Sequence, residues 1–174
     1  MFRKKFFVAL HTICLLCVLQ GLSAQQDTLS VMYYNVLNFP GSTPERVQNF
    51  RTVVSYTLPD VVVISELISE EGADMLLQQG LNAGEQSYYQ RAEFTNGDDS
   101  DNMLFFNSQK LALYSQDTID TELRLINEYV LYYHNQGIIP GADTTFLFFY
   151  SAHLKASQGT DNKQKRLAEV LRFK

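Results

Sequence analysis

A short run of apolar, β-branched residues limits what this chain can fold into more than any other feature. It follows Pro59 and Asp60, extends over residues 61–64 and closes at Glu66. Because the apolar residues do not alternate with polar ones, the run predicts a strand that is buried on both faces. Such a strand lies at the centre of a sheet that is covered by helices or by another sheet. The run therefore favours an α/β fold built around this strand.

Glu66 is the first candidate for a functional residue. It falls at the carboxyl end of the predicted strand, where open α/β sheets usually bind their ligands. A carboxylate in this position can be held rigidly against a metal ion or a substrate. The segment alone is equally compatible with a Glu66 that only ends the strand and opens a solvated loop.

The first 24 residues have the pattern of a secretory signal peptide. Arg3, Lys4 and Lys5 precede an apolar run over residues 6–22, and small residues lie before Gln25. A membrane anchor is the alternative, but polar residues interrupt the run and its length is at the short end for a span. We therefore predict cleavage after Ala24 and a secreted or periplasmic protein without stable membrane association.

The predicted mature chain, residues 25–174, has the length of one domain and an acidic surface. Both cysteines, Cys14 and Cys17, lie in the predicted leader, so a disulfide or thiolate metal site is not expected in the domain. Removing the three leader cations from the net charge of −5 leaves −8. Such a surface does not attract nucleic acid in general, so a phosphate-bearing substrate needs a local basic patch or a bridging cation.

The segments before the central strand predict a βαβ unit. Residues 29–38 are rich in β-forming residues, and Asn35 stands near the end of this first strand. A helix start follows at residues 42–45, with Val47, Phe50 and Val54 at helical spacing. Asn35 can begin an Asx turn, or it can offer its side-chain oxygen beside Glu66.

The rest of the chain predicts a further helix after Ser69, several strands without helices between them, and a last helix. The strands are expected at residues 87–93, 103–106, 111–114, 126–133 and 144–155, with a hairpin connection at 135–141 and the final helix at 161–173. Strands that follow one another directly favour antiparallel additions to a sheet. The strand at 144–155 is apolar on both faces and ends in His153 and Lys155, which alternation places on one face. A lone histidine is more often structural than functional.

Four of these segments together resemble the endonuclease/exonuclease/phosphatase family, which has the DNase I-like fold. They are the strand ending in Tyr-Asn-Val, the run Pro-Asp-Val-Val-Val-Ile-Ser-Glu, the segment Asp-Asn-Met-Leu-Phe-Phe, and the strand ending in Ser-Ala-His-Leu-Lys. Each motif has low specificity, but their order and spacing match over nearly all of residues 25–174. The resemblance implies an α/β, two-sheet sandwich flanked by helices.

The resemblance also implies roles for single residues. Asn35 and Glu66 are similar to the family's metal-binding asparagine and glutamate, and would bind Mg²⁺ or, alternatively, Mn²⁺ or Ca²⁺ with water completing the shell. His153, with Glu66, would be catalytic, and the histidine would place or protonate the scissile phosphate. Asn102 and Lys155 would contact the substrate. No obligate protein partner is implied.

The chain departs from the family in lacking two motifs. The Asp-x-Asn and Ser-Asp-His motifs of the family's second half do not occur in the sequence. In the family they supply the base that activates the nucleophile and further metal or phosphate contacts. We therefore expect residues 25–174 to be the N-terminal part of such a domain, with one mixed sheet and its helices, and to be inactive alone.

The function implied is a secreted, metal-dependent phosphodiester hydrolase that resembles a nuclease and acts on nucleic acid. A phosphatase or a sphingomyelinase-like phosphodiesterase on the same fold is an alternative, because the fold does not fix the substrate. A binding module that keeps the fold without catalysis is another.

Overall fold

The computed structural model describes residues 28–84, 87–133 and 144–173 of the chain. The predicted leader at 1–24 and the predicted hairpin connection at 135–141 lie outside these residues. The described residues form seven strands and three helices, with strands in two sheets. The α/β class predicted from the sequence is confirmed.

The first sheet contains the predicted central strand. Its order is β1 (Val31–Phe39), β2 (Val61–Leu67), β4 (Asp101–Asn107) and β3 (Tyr89–Arg91). β1 and β2 are parallel, as the predicted βαβ unit requires, whereas β4 is antiparallel to both β2 and β3. The four residues of the β-branched run are at most 6% exposed, so β2 is buried on both faces.

Helices cover one face of the first sheet. A 3₁₀ turn, Pro44–Arg46, leads into α1 (Val47–Thr57). The next helix, α2 (Glu70–Met75), begins as predicted at Ser69, whose Oγ accepts the Gly72 N–H at 3.1 Å, and it continues as a π-helical turn, Leu76–Leu81. Phe50 of α1 approaches Gly80 so closely that a Cβ there would lie 2.6 Å from the ring. α1 and the π-helical turn therefore pack against each other as one layer.

The second sheet consists of three consecutive antiparallel strands. They are β5 (Leu111–Ile119), β6 (Ile126–Tyr133) and β7 (Phe146–Ser151), in that order. The sequence predicted one mixed sheet, and the structure differs because the chain turns at residues 108–110 and starts a separate sheet. A strand pattern specifies which face is apolar but not which strand lies beside it.

The two sheets share one core. Leu111, Tyr129 and Leu131 of the second sheet are at most 1% exposed and belong to the same buried cluster as the residues of β2 and β4. The helix layer and the second sheet thus lie on opposite faces of the first sheet. This arrangement explains why every residue of β4 is buried.

β7 is shorter than the sequence predicted, and one of its apolar faces is exposed. It ends at Ser151, so His153 and Lys155 lie in the following segment and not on one face of the strand. The strand is apolar on both faces, as predicted, but Phe146, Phe148 and Tyr150 on one of them are 41%, 61% and 46% exposed. An apolar run alone does not specify which of its aromatic residues are buried.

The last helix, α3 (Thr160–Arg172), contacts the rest of the domain mainly through polar side chains. Glu169 is its one buried residue, at 2% exposure, whereas Leu167, Val170 and Leu171 are about half exposed. Within the described residues, no helix combines the length and the apolar character needed to cross a bilayer.

Candidate active site

Glu66 lies at an irregularity in the first sheet. The pairing of β2 with β4 shifts between Ile64 and Leu67, and Glu66 in this bulge has a φ of 61°. A non-glycine residue in the left-handed region is uncommon, and bulges that redirect a side chain occur next to active sites. The bulge takes Glu66 out of the regular alternation of the strand, and its side chain is 18% exposed.

Asn35 holds one oxygen of Glu66. Asn35 Nδ2 donates a hydrogen bond to Glu66 Oε1 at 2.8 Å, while Asn35 Oδ1 accepts the backbone N–H of Leu37, also at 2.8 Å. Both contacts agree on which end of the amide is oxygen. Asn35 and Glu66, hereafter the Asn35–Glu66 pair, therefore meet through the nitrogen of the amide, and the oxygen faces the backbone.

His153 approaches the same carboxylate from the second sheet. Its Nε2 lies 3.6 Å from Glu66 Oε1, which is an ion-pair distance if the imidazole is protonated and is too long for a hydrogen bond. The backbone oxygen of His153 accepts a hydrogen bond from Arg124 Nη1 at 3.2 Å, and Arg124 Nη2 pairs with Asp99 at 2.6 Å. Three of the five residues that the sequence singled out, Asn35, Glu66 and His153, thus lie together.

A cation at this site would have few protein ligands. The described residues contain no group of three or more His, Cys, Asp and Glu side chains that could hold a metal ion. Glu66 Oε1 is shared by Asn35 and His153, so Oε2 is the oxygen best placed for a cation. A single carboxylate with a mainly aqueous shell suits Mg²⁺, which retains several waters in proteins. The role of Asn35 as a metal ligand stays a prediction, since its oxygen binds the Leu37 N–H here.

Asn102 lies between the two sheets rather than at the surface. It is 2% exposed, and its Nδ2 donates to the backbone oxygens of Leu125 at 3.0 Å and Ser151 at 3.2 Å and to Asn127 Oδ1 at 3.0 Å. These contacts use the amide to join β4 to the second sheet. A substrate contact by Asn102 stays a prediction, and its described partners give it a structural task.

The segment that contains Lys155 is fixed by α3. The buried carboxylate of Glu169 accepts the Lys155 N–H at 2.9 Å. Arg166 Nη1 donates to the backbone oxygens of Lys155 at 2.9 Å and Ser157 at 2.8 Å. Lys155 is half-buried, and only Leu154 separates it from His153 in the chain. The structure therefore fixes the backbone beside the site, and phosphate binding by Lys155 stays a prediction.

Sequence reasoning missed the arginines that bind the backbone around the site, Arg46, Arg124 and Arg166. A signal for the first was present, because Arg46 stands in the opening turn of a helix, where the helix dipole disfavours a cation. A cation in that position suggests another use for the side chain, such as binding carbonyl groups of the preceding strand.

Comparisons with known proteins agree on the fold. The chain matches no family model and no curated protein sequence. It is similar to the crystal structure of D. rerio TDP2 with a single-strand DNA product, at a TM-score of 0.56 and 17% identity, over 83% of this chain and 53% of that one. It is also similar to an endonuclease/exonuclease/phosphatase family protein from Bacteroides thetaiotaomicron, at a TM-score of 0.56 and 17% identity, over 85% of this chain and 59% of that one. Truncated Caenorhabditis elegans TDP2 gives a TM-score of 0.55 at 17% identity, over 81% and 51% of the two chains.

The class that the fold defines is therefore the endonuclease/exonuclease/phosphatase, or DNase I-like, fold. The chain has part of it, since it spans between half and three-fifths of the length of these three structures. The resemblance drawn from the sequence motifs is confirmed at the level of the fold.

Proposed function

We propose that the protein is a metal-dependent phosphoesterase that hydrolyses phosphodiester bonds, with nucleic acid as its substrate. The observation that supports this best is the position of the Glu66 carboxylate, which lies between the Asn35 amide and the His153 imidazole at the ends of strands from both sheets. The similarity to solved phosphoesterase-fold structures, one of them with single-strand DNA product, supports the substrate class.

The chemistry assigns a distinct task to each residue. Asn35 orients the Glu66 carboxylate, and Glu66 binds the divalent cation. When bound, a hard cation lowers the cost of negative charge on the phosphoryl oxygens. His153, when protonated, donates its Nε2–H to a phosphate oxygen, and its distance from Glu66 allows both to face one phosphate. Charge-assisted hydrogen bonds of this kind are stronger than neutral ones.

The proposal assigns no base to the described residues. Activation of water in line with the leaving group requires a second acid–base group near Glu66, and the resemblance assigns it to the Asp-x-Asn and Ser-Asp-His motifs. We therefore expect no hydrolysis of DNA by the 174-residue chain alone. We expect Mg²⁺-dependent hydrolysis when a segment with both motifs from a family member of this fold is fused to it.

The experiment compares three variants of that fusion. Glu66→Gln removes the charged metal ligand at constant size, so it raises the Mg²⁺ concentration needed for half-maximal rate and lowers turnover. His153→Ala lowers turnover with little change in Mg²⁺ demand, because the imidazole contacts phosphate. Glu71→Gln, at an exposed carboxylate of α2, is the matched control and leaves both quantities unchanged.

Each alternative predicts a different result in the same assay. Equal Mg²⁺ profiles for wild type and Glu66→Gln would refute the metal-binding role. Cleavage of a phosphomonoester or of sphingomyelin in preference to DNA would show that nucleic acid is not the substrate and would favour the phosphatase or the sphingomyelinase-like alternative. Nucleic acid binding without hydrolysis in an intact, folded fusion would favour the binding module.

The location outside the cytoplasm is part of the proposal and rests on the leader pattern. Expression with the natural N-terminus in a Gram-negative host, followed by N-terminal sequencing of the exported protein, tests it. A chain that starts at Gln25 supports export, and one that starts at Met1 in the membrane fraction supports an anchor.

A further inference from the structure

Arg46 binds the backbone at the end of the strand that contains Asn35. Its Nη1 donates to the Val36 oxygen at 2.8 Å and its Nη2 to the Leu37 oxygen at 3.1 Å. The Nε donates to Thr43 Oγ1 at 2.6 Å, and the guanidinium lies 5.7 Å from the centre of the Phe39 ring. The planar fork of an arginine matches such a set of acceptors, which a lysine cannot bind in the same way.

The bond to Val36 reaches the Asn35–Glu66 pair through one peptide group. The Val36 oxygen and the Leu37 N–H belong to the same peptide group. Arg46 binds the oxygen of that group, and Asn35 Oδ1 accepts its N–H. Asn35 Nδ2 in turn donates to Glu66 Oε1. A continuous series of hydrogen bonds therefore runs from the guanidinium to the carboxylate, and bonds in such a series polarise one another.

The backbone in this turn needs support. Leu37 has a φ of 52° and Asn38 a φ of 51°, so two successive non-glycine residues lie in the left-handed region. Such residues persist only where the surroundings hold them. Arg46 binds the backbone oxygens of Val36 and Leu37, which lie on either side of the Leu37 Cα. Its side chain extends from the 3₁₀ turn before α1 to this end of β1.

We propose that Arg46 is a positioning residue for the Asn35–Glu66 pair. It fixes the peptide group that sets the orientation of the Asn35 amide, and this orientation determines which Glu66 oxygen remains for a cation. The positioning of Asn35 by Arg46 rests on the hydrogen bonds alone. Its effect on metal binding rests on the proposed function.

The first test measures the geometry without any metal. Two-dimensional ¹H–¹⁵N spectra of the labelled protein report the side-chain NH₂ of Asn35, assigned by its loss in Asn35→Ala. Arg46→Gln should shift these resonances and speed their exchange with water. The matched control is Arg51→Gln in α1, the helix that follows Arg46, which should leave them unchanged. If Arg46→Gln does not fold, Arg46→Lys retains the charge and loses the planar fork. Unchanged Asn35 resonances in a folded Arg46 variant would overturn the proposal.

The second test measures Mn²⁺ affinity by electron paramagnetic resonance. Removing a residue that orients a metal ligand typically weakens binding by about 10–100-fold, and we expect the lower end for Arg46→Gln. In an Asn35→Ala background the same change should have no further effect, because Arg46 acts through Asn35. An undiminished effect in that background would show a merely structural role and overturn the proposal. If neither the wild type nor the wild-type fusion that carries both motifs binds Mn²⁺, the metal-dependent function fails, and the spectra of Asn35 still decide the positioning role.

Discussion

The left-handed backbone of Glu66 leads to a stability prediction that is independent of catalysis. An L-residue in this region costs about 1–2 kcal/mol relative to its right-handed conformation, whereas glycine does not bear this cost. In an ordinary strand alanine is favoured over glycine by about 0.5–1 kcal/mol. Glu66→Ala and Glu66→Gly both lose the contacts with Asn35 and His153, so those contacts cancel between the two variants. We therefore expect Glu66→Gly to be the more stable of the two, by up to about 1.5 kcal/mol.

Urea unfolding of four variants tests the sign of this difference. Ser65 precedes Glu66 in β2 and is not among the residues with positive φ. Ser65→Gly should be less stable than Ser65→Ala, which is the opposite order. The glycine advantage at position 66 and the alanine advantage at position 65, both measured as free energies of unfolding, should add up to about 1–2 kcal/mol. This sum is the cost of the left-handed backbone at Glu66. If glycine is the less stable replacement at both positions, and by the same amount, then Glu66 is unstrained and the reasoning fails.

Two further predictions concern the framework of the site. The carboxylate of Asp60 is buried, which raises its pKa, but hydrogen bonds from Ser30 and the Lys110 ammonium outweigh burial and hold the pKa below its ordinary value. The stability that the ionised Asp60 carboxylate contributes is therefore present above about pH 4 and is lost as the pH falls through the lowered pKa. Asp60→Asn should reduce the free energy of unfolding by about 2 kcal/mol at pH 7 and should flatten its dependence on acidic pH, as measured by urea unfolding. The same pH dependence in wild type and variant would contradict this prediction. Gly80→Ala places a methyl group against the buried Phe50 ring and should destabilise the fold by about 1–3 kcal/mol in thermal unfolding, and a wild-type melting temperature would show that the ring can move away.

Much of the first sheet could be predicted from the sequence, because its signals are local. The β-branched run identified β2, the capping serine at residue 69 identified the start of α2, and the helix between two strands predicted their parallel pairing. The three residues that lie together at the candidate site were singled out for a related reason. Polar residues that end apolar strands fall at one edge of a sheet, where Asn35 and Glu66 meet.

The rest depends on contacts between segments that are distant in the chain. No pattern in residues 111–151 indicates that these strands leave the first sheet and pack across it. The positive φ of Glu66 arises from the shift in pairing with β4, which the residues of β2 alone do not specify. Arg46 looks like an ordinary helical cation until the strand end that it binds is placed beside it.

The buried amide of Asn102 has a consequence for the spacing of Glu66 and His153. Glu66 belongs to the first sheet and His153 follows the second, so their separation changes if one sheet slides over the other. Asn102 reaches acceptors on β6, on β7 and on Leu125 just before β6 at 3.0–3.2 Å, and a slide of about 1 Å would take at least one of them beyond hydrogen-bond distance. The buried Asn102 side chain thus fixes the position of the His153 imidazole relative to the Glu66 carboxylate. Natural variation at residue 102 would alter the alignment of the two sheets and leave Glu66 and His153 themselves unchanged.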